Sequence, residues 1–414
     1  MPSAMLLRVA ILSPLPPQKT GESPYTERLI RSLLETERVR ILAIAGPDTY
    51  GLQDNSGRLE SALVWRGQDI FYPIRLLGLL KRWRPHLLHV QFGPHGQVYG
   101  GMYGEWMLFL LLLCRLIGIP TTMTLHSTFM PNQVLSRMSV SHGKGVVARL
   151  AVILFRMYMR LLDWSTSSIQ LSTAKIDSTL RRRFIQEFGL AQEKVLEIPH
   201  PCRTDVTPME RDEALKSLLL SGRDVILVFG FIRRGKGIEV AIRAMPAVAR
   251  AHPNALLLIA GSAIDMDGQK YLVQLKALVR ELHLETHVRF DTLFIPEESV
   301  RAYFCGSQVL LLPYVESVGA SGPMHNQAAF GVPMVASDAG LHMSESLGGN
   351  IILFRTGDSD DLASKLISAL DCRTHTIELG RRIRAYALRE GWDVAARRTL
   401  SNYAKTLPLL KSIR

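Results

Sequence analysis

A turn rich in glycine and cations stands between a strand-like run and an amphipathic run in the second half of the chain. It belongs to the segment FGFIRRGKGIEVAIRAM, and its glycines are Gly230, Gly235 and Gly237. Glycines in a turn permit close approach of the backbone to a ligand. Beside the start of the following helix, Arg233 could bind two oxygens in a fork and Lys236 could act as a point charge. The turn predicts a site for an anion such as a diphosphate, although a solvated basic loop would have the same composition.

A loop of small residues in the same half is a second candidate for binding an anion. In PYVESVGASGPMHNQAAFGVPMVASDAG, four small residues precede an apolar helix: Gly319, Ala320, Ser321 and Gly322. Small residues ahead of a helix expose backbone amides to an anion, but they also serve ordinary close packing. Together with the basic turn, the loop predicts the second half of a phosphate cradle. The chain has no GxxxxGK motif followed by Ser or Thr and no GxGxxG after its first strand, which argues against P-loop nucleotidases and dinucleotide dehydrogenases.

In the first half of the chain, polar side chains follow two strand-like runs. His126 ends the run TTMTLH, while Gln91 and His95 stand in HVQFGPHG. Ligands of parallel sheets bind outside the carboxyl ends of strands, so His126 is a candidate for the active site. A lone histidine is more often a structural hydrogen bonder, and this alternative stays open.

The loop after the first strand is a further candidate. The segment PLPPQKTGESPYTERLIRSLL is rich in proline and contains Gly21 ahead of a helix. Ser23 is the expected cap of that helix, with Pro24 at its first position. The loop could approach a ligand, or it could be a rigid connection to a capped helix.

Alternating strand-like and helical runs must position these loops. The strand-like runs are LRVAILS, VRILAIAG, LLHVQF, TTMTLH and VLEIPH in the first half, then VILVFG, ALLLIAG, HVRFDTL, QVLLLPY, PMVASD and NIILFR. Repeated strand–helix alternation indicates parallel sheets covered on both faces. The sequence therefore predicts an α/β fold of two doubly wound, Rossmann-like domains that face each other across a cleft. A length of 414 residues agrees with two domains.

Composition argues against several classes of protein. The four cysteines form no CxxC pair, which disfavours a zinc site and a disulfide framework and favours a reducing cytoplasm. The formal charge of +12 predicts an acidic partner, but no nucleic-acid motif accompanies it. The start of the chain, MPSAMLLRVAILSPLPP, is expected to form a buried strand rather than a secretory signal. WMLFLLLLCRLIGIP is too short to span a bilayer and predicts either a buried helix or a helix at a membrane surface.

Two segments in order carry a resemblance to a known family. FGFIRRGKGIEVAIRAMPAVARAHPNALLLIAGSA and PYVESVGASGPMHNQAAFGVPMVASDAG resemble the donor-binding blocks of the GT-B glycosyltransferases, specifically the family-four retaining enzymes, also called glycosyltransferase group 1. PLPPQKTGESPYTERLIRSLL, TLHS, EIPHPC and RAYALREGWDVAARRTLSNYAKTL resemble weaker features of that family. The resemblance implies an N-terminal acceptor-side domain over 1–205 and a nucleotide-sugar-binding domain over 206–385. It also implies a helical segment over 386–414 that returns to the N-terminal domain.

The resemblance also implies roles for particular residues. Arg233 and Lys236 would clamp the diphosphate of a nucleoside diphosphate sugar, beside Gly230, and the amides from Ala320 to Gly322 would complete that clamp. The Gly21 loop would approach the diphosphate from the other domain, and His126 would line the sugar site. Such enzymes use no cofactor and usually need no metal, because protein cations and amides balance the leaving diphosphate.

The chain departs from the family at an acidic pair, a Glu, seven intervening residues and a second Glu that holds the ribose. Anchoring the pair on Glu316 puts Met324 at the second position, whereas anchoring on Gly331 puts Val318 and Asn326 at the two positions. We prefer the second register, in which Asn326 could hydrogen-bond the ribose as a neutral group.

The basic turn departs from the family too, since Phe231 stands where many relatives have Arg. We expect Arg233 to substitute by reaching back. The departures leave two hypotheses: a retaining transferase that moves a hexose to a glycan or lipid-linked acceptor in polysaccharide or glycolipid synthesis, and a catalytically inactive protein that binds a nucleotide sugar or a partner.

The basic and apolar segments YPIRLLGLLKRWRPH and RLAVILFRMYMRLL suggest a peripheral contact with the anionic inner face of a membrane. Exposed basic faces above stripes that face the core are the alternative.

Overall fold

The chain divides into two compact units. The computed structural model describes residues 6–18, 20–93, 96–131, 133, 146–263, 265–316, 321–340 and 342–407. One unit comprises Met1–His200 with Trp392–Arg414, and the other comprises Pro201–Gly391. The domain bounds predicted from the sequence are 205 and 385. Each unit is an α/β fold built on one parallel sheet, as the sequence predicts.

The first unit contains a sheet of seven parallel strands. They are β1 (Leu7–Leu12), β2 (Val39–Ala45), β3 (Leu59–Leu63), β4 (Leu87–Phe92), β5 (Thr121–Leu125), β6 (Ser168–Thr173) and β7 (Val195–Pro199). Their order in the sheet is β3-β2-β1-β4-β5-β6-β7. In the central register, Leu12 pairs with Ile44 on one side and with Val90 on the other. The buried apolar strands β1 and β4 therefore form the middle of the sheet.

The sequence predicts five of these seven strands and misses β3 and β6. Strand β3, LESAL, lies at the edge of the sheet and is only partly buried, so it lacks a run of apolar residues. Strand β6, SIQLST, is fully buried but alternates apolar residues with Ser168, Gln170 and Ser172. Buried polar residues made β6 resemble a loop in the sequence.

Among the described residues, six helices lie between the strands of the first unit. They are α1 (Glu22–Glu35), α2 (Tyr72–Trp83), α3 (Gly96–Tyr99), α4 (Glu105–Leu116), α5 (Val146–Ser165) and α6 (Thr179–Phe188). Helix α4 buries Met107, Leu110 and Leu111 on one face and exposes Phe109 and Leu116 on another. None of the helices in the described part of the chain combines the length and the apolar character that a membrane crossing needs.

Helix α1 begins two residues earlier than the sequence predicts. Gly21, not Ser23, is its N-cap, and no side chain caps it. Ser23 lies inside the first turn, where its backbone amide donates to Oγ1 of Thr20 at 3.2 Å. The prediction of a Ser23 cap with Pro24 at the first helical position is therefore wrong. The cause is local: Gly21 and Glu22 already have helical conformations, so Pro24 occupies the third position of the helix.

The second unit contains a sheet of six parallel strands, all of which the sequence predicts. They are β8 (Asp224–Phe229), β9 (Ala255–Ala260), β10 (Val288–Asp291), β11 (Ser307–Leu312), β12 (Met334–Ser337) and β13 (Ile352–Phe354). Their order is β10-β9-β8-β11-β12-β13. The strands before β11 are added to one side of β8 and the strands from β11 onward to its other side, so the order of addition reverses between β8 and β11. Ligands of such folds bind at the carboxyl ends of the strands at this point.

Helices cover the sheet of the second unit and close its apolar core. They are α7 (Arg211–Ser217), α8 (Ile238–Ala251), α9 (Met266–Glu281), α10 (Glu297–Cys305), α11 (Gly322–Gln327), α12 (Ser359–Asp371) and α13 (Arg373–Arg389), with 3-10 segments over Ala328–Phe330 and Met343–Gly349. Two buried clusters form the core: one includes Ile226, Ile242 and Leu257, the other Leu227 and Leu258. Neighbouring residues of β8 contribute to different clusters, as expected of a strand buried on both faces.

The last described helix, α14 (Trp392–Thr406), belongs to the first unit. It packs on α1 and contributes Ala396 and Tyr403 to the apolar core around β1 and β2.

Candidate functional site

The basic turn between β8 and α8 lies beside the carboxyl ends of two other strands. The amide of Gly230 donates to the carbonyl of Ala260 at 2.9 Å, and the amide of Ile232 donates to that of Ser262 at 3.0 Å. On the other side, the carbonyl of Gly235 accepts from the amide of Val315 at 3.1 Å. These hydrogen bonds fix the turn between the ends of β9 and β11. The predicted location of the basic turn at the carboxyl edge of the sheet is therefore what the structure has.

Two glycines allow this close arrangement. Gly230 and Gly237 have φ angles of 117° and 65°, in the region that side chains rarely adopt. A Cβ atom on Gly237 would lie 1.8 Å from the carbonyl oxygen of Pro313. Only glycine can therefore bring the start of α8 so close to the end of β11.

Lys236 is held at this edge by an aromatic ring that the sequence analysis missed. Its ammonium lies 4.0 Å from the centroid of the Tyr314 ring, and the hydroxyl of Tyr314 lies 3.0 Å from Oγ of Ser321. Tyr314 is buried. A cation over an aromatic face keeps its full charge, so this contact orients Lys236 without neutralising it. Tyr314 thereby connects the basic turn with the start of α11.

Ser321 is also the N-cap of α11. Its hydroxyl oxygen accepts from the amide of Met324 at 3.4 Å. Lys236 from the first predicted segment and Ser321 from the second therefore both contact the side chain of Tyr314. The sequence could have indicated Tyr314, because this residue follows the carboxyl end of β11, where ligand-binding residues concentrate.

The two arginines of the basic turn differ in their surroundings. Arg234 donates to Oε1 of Gln274 at 2.6 Å and lies 5.5 Å from the centroid of the Tyr271 ring. Arg233 is exposed and forms no ion pair with any residue that the structure describes. Arg234 thus has two described side-chain contacts, and the ligand-binding roles predicted for Arg233 and Lys236 stay predictions.

Helix α11 contains a buried histidine behind Ser321. Nδ1 of His325 donates to the carbonyl oxygen of Ser321 at 3.0 Å. Burial lowers the pKa of His325 to about 4, so the ring is neutral near pH 7. His325 supports the backbone at the start of α11 and adds no charge to the site.

The structure describes only some of the other residues that are predicted for the donor site. Gly322 and Asn326 are half-buried on α11, and Glu316 is exposed after β11. Gly319, Ala320 and Val318 lie outside the described residues. The roles assigned to all of these residues stay predictions.

In the first unit, His126 ends β5 and contacts two side chains. Its Nε2 lies 2.7 Å from Oε1 of Gln91, and its ring packs edge-on against Tyr25 with centroids 4.6 Å apart. Because the amide oxygen can only accept, Nε2 of His126 carries the proton in this arrangement. Burial lowers the pKa of His126, while the charge of the nearby Glu22 raises it.

A chain of buried hydrogen bonds continues from Gln91 into the unit. Nε2 of Gln91 lies 3.1 Å from Nε2 of His89, and Nδ1 of His89 lies 2.6 Å from the hydroxyl of Tyr403 on α14. Burial lowers the pKa of His89 to about 3, with a smaller contribution from the nearby His126. Nε2 of His89 also lies 2.7 Å from Oγ1 of Thr124, which donates to Oε1 of Gln170 at 3.1 Å. The orientation of His126 therefore depends on α14 as well as on β4.

The structure also brings the Gly21 loop to the region of His126, because Glu22 and Tyr25 belong to the helix that Gly21 begins. Gly21 itself has a φ of −67°, which any residue adopts, and no described atom lies within 4 Å of the position of an added Cβ. Of the other polar residues named from this half, Gln91 contacts His126 and His95 lies outside the described residues.

Among the described side chains, no group of three or more His, Cys, Asp and Glu could hold a metal ion. The role of protein cations in place of a metal stays a prediction.

Comparison with known proteins shows what this chain is similar to. Residues 210–389 match the model of the family described as glycosyl transferases group 1. The resemblance to the group 1 glycosyltransferases is thus confirmed. The matched residues contain the basic turn, Tyr314 and Ser321.

A curated relative is the D-inositol 3-phosphate glycosyltransferase of Corynebacterium kroppenstedtii. It is 31% identical over 176 residues, which are 42% of this chain and 38% of the relative. The chain thus spans well under half the length of this relative.

Solved structures share the fold over nearly the whole chain. Alr3699/HepE of Anabaena, in complex with UDP, has a TM-score of 0.70 at 16% identity and covers 97% of this chain and 100% of its own. The sucrose-phosphate synthase of Thermosynechococcus elongatus has a TM-score of 0.72 at 16% identity and covers 96% of this chain and 98% of its own. The GT-B fold predicted from the sequence is therefore confirmed.

Proposed function

We propose that this group 1 glycosyltransferase is a retaining enzyme that transfers a hexose from a nucleoside diphosphate sugar to a glycan or lipid-linked acceptor. The pathway would be the synthesis of a polysaccharide or glycolipid, and the enzyme would act in the cytoplasm at the inner face of a membrane. The observation that carries the proposal is the contact of Lys236 with Tyr314, whose hydroxyl meets Ser321. It joins both predicted halves of a phosphate site within the part of the chain that matches the family model.

The charges at this site suit the departure of a diphosphate. In the transfer, the bond between the anomeric carbon and the diphosphate oxygen breaks, and an acceptor oxygen forms the new bond as it loses its proton to the departing diphosphate. Negative charge grows on the diphosphate during this step. Lys236, oriented by Tyr314, and the exposed Arg233 would stabilise that charge, as would the amides at the start of α11. We propose that these groups replace a metal ion, and we assign no protein nucleophile or base.

The nucleotide is proposed from the structural neighbours. Alr3699/HepE has been solved with UDP and with UDP-glucose, which makes UDP the first nucleotide to test here. His126 is proposed to contact the sugar, oriented by Gln91.

Hydrolysis of the donor tests the proposal without knowledge of the acceptor. We expect the purified protein to release sugar slowly from one nucleoside diphosphate sugar, with UDP-glucose tried first. Arg233→Ala and Lys236→Ala should each reduce this rate by about 2 to 4 kcal/mol of leaving-group stabilisation. Arg234→Ala removes the same charge from the same turn but leaves the proposed clamp intact, so it should keep most of the rate. Wild-type rates in both clamp variants would refute the proposed phosphate site.

The departures of the acidic pair favour a second candidate, a protein that binds a nucleotide sugar without transferring it. Four residues were compared with the acidic pair of the family, in two registers. Of these four, only Glu316 and Asn326 are acidic or polar, and Glu316 is exposed. This candidate would be supported over the enzyme if the protein binds a nucleotide tightly but hydrolyses none of the nucleoside diphosphate sugars, whatever their base.

A further inference from the structure

Helix α5 has an apolar side chain on nearly every face. One face packs into the first unit and buries Ala151, Phe155, Tyr158, Met159 and Leu162. The opposite face exposes large apolar side chains by 45% to 56% each, namely Val147, Leu150, Ile153, Leu154, Met157, Leu161 and Trp164. A helix on the surface of a protein in water normally has polar residues on its outer face. The outer face of α5 is therefore suited to a surface less polar than water.

The exposed apolar surface continues onto the neighbouring helix α4. The two helices pack together, and the guanidinium carbon of Arg115 at the end of α4 lies 4.6 Å from the centroid of the Trp164 ring at the end of α5. At this end, Leu116 is 77% exposed and Ile117 follows it on the surface. Phe109 is exposed in the middle of α4. We refer to the exposed side chains of Phe109–Ile117 and Val147–Trp164 as the α4–α5 face. Contiguous apolar patches of this kind mark interaction sites more often than scattered single residues do.

Positive charges accompany these apolar side chains. Arg149, Arg156 and Arg160 are exposed on α5, and Asp163 is the one acidic residue of that helix. Arg156 pairs with Glu187 at 3.1 Å and Arg160 donates to the carbonyl of Phe188, whereas Arg149 makes no ion pair with a described residue. Arginine can bury its stem at an interface while its guanidinium stays at the polar side. The mixture of apolar and cationic side chains is typical of helices that lie on anionic lipid.

We propose that the α4–α5 face binds the surface of an anionic lipid bilayer. Its apolar side chains would enter the boundary between headgroups and acyl chains, and its arginines would meet the headgroups. A symmetric contact between two copies of the chain is less suited to this face, since it would bring the arginines of both copies together with few acidic partners. This inference deepens the membrane location given with the proposed function, because it assigns the contact to named side chains. It does not require the transfer itself: lipid binding is measured without a nucleotide or a sugar.

Flotation with vesicles tests the proposal. The full chain is mixed with vesicles of phosphatidylcholine containing about 30% phosphatidylglycerol, or with phosphatidylcholine alone, and centrifuged in a density gradient. We expect the protein to float with the anionic vesicles at low salt, and to float less at high salt or with phosphatidylcholine alone.

A triple variant distinguishes the α4–α5 face from the rest of the surface. Leu150→Gln, Leu154→Gln and Met157→Gln together should reduce the bound fraction about tenfold or more, because three inserted side chains become polar. The matched control carries Leu219→Gln, Val273→Gln and Leu293→Gln, three exposed apolar residues of the second unit, and should float as the wild type does. The melting temperature of each variant, compared with that of the wild type, shows that the fold is retained.

Three results would overturn the proposal. The first is no flotation of the wild type with anionic vesicles, and the second is equal flotation of the folded triple variant and the wild type. The third is a dimer of the wild type in solution that the triple variant loses, together with no binding to vesicles, which would assign the face to a second copy.

Discussion

The ammonium of Lys236 lies 4.0 Å above the ring of Tyr314, although the two residues come from different loops of the second unit. The ring fixes the position of the cation while leaving its charge available. The hydroxyl of the same ring lies 3.0 Å from Oγ of Ser321, which caps α11. A single buried tyrosine therefore contacts both segments that are predicted to hold a diphosphate.

Replacing Tyr314 separates the two contributions of its side chain. Tyr314→Phe keeps the aromatic face and removes the hydroxyl, so UDP affinity should stay within about twofold of the wild type. Tyr314→Leu removes the face and should weaken UDP binding by about 1 to 2 kcal/mol, since Lys236 loses its orientation. Calorimetric titration measures both affinities. Equal weakening in the two variants would show that the hydroxyl, rather than the ring, supports the site.

Gly237 should be a determinant of stability as well as of the site. Gly237→Ala places a Cβ atom 1.8 Å from the carbonyl oxygen of Pro313 at a φ of 65°, so we expect a loss of about 2 kcal/mol or more in the free energy of unfolding. Gly322→Ala is the matched control in the same unit, because no described atom lies within 4 Å of the added Cβ. Thermal and urea unfolding compare the variants. A Gly237→Ala protein as stable as the Gly322→Ala protein would contradict the observed contact.

Buried histidines should make stability depend on pH. His325 and His342 have pKa values lowered to about 4 by burial, and His89 has a pKa lowered to about 3. Unfolding raises these values to about 6.5, so the unfolded chain binds more protons than the folded chain between about pH 6.5 and 4. Their contribution to stability is full above pH 6.5 and is lost as the pH falls through this window.

The melting temperature should therefore fall as the pH is lowered from 7 to 4, and His325→Gln should reduce the slope. His375→Gln, at an exposed position, serves as the control and should leave the slope as it is in the wild type. A slope that His375→Gln changes as much as His325→Gln would contradict the role of burial.

The contact between His126 and Gln91 predicts related effects of their substitutions. His126→Ala should lower donor turnover about tenfold or more while nucleotide affinity is kept, because a group that orients the sugar is lost. Gln91→Ala should lower turnover less, since it frees the ring of His126 without removing it. Turnover and UDP affinity are measured on the same preparations. A parallel loss of nucleotide affinity in His126→Ala would instead place His126 in the diphosphate site or in the fold.

The sequence predicts the sheet of the second unit well because its strands are short apolar runs between helices. It misses β3 and β6 for opposite reasons: LESAL is a half-exposed edge strand, and SIQLST buries polar side chains that hydrogen-bond inside the first unit. Hydrophobic patterns cannot show such strands, because a buried Ser168 bonded to Thr122 looks like a loop residue.

For the site, residue type and position indicate Arg233, Lys236 and Ser321, and in the structure Lys236 and Ser321 both contact Tyr314. Tyr314 was missed because its contacts depend on tertiary structure: its ring touches a residue from a distant turn. The prediction of a Ser23 cap is wrong because it rested on residue type alone, whereas the backbone becomes helical two residues earlier.

Titration of UDP into the wild type, Lys236→Ala and Arg234→Ala by calorimetry tests whether Lys236 binds the diphosphate. The three proteins share one fold and the two variants share one net charge, so only the position of the lost cation differs. We expect Lys236→Ala to raise the dissociation constant about tenfold or more and Arg234→Ala to change it about twofold or less. Equal dissociation constants for the two variants would contradict a diphosphate site built on Lys236.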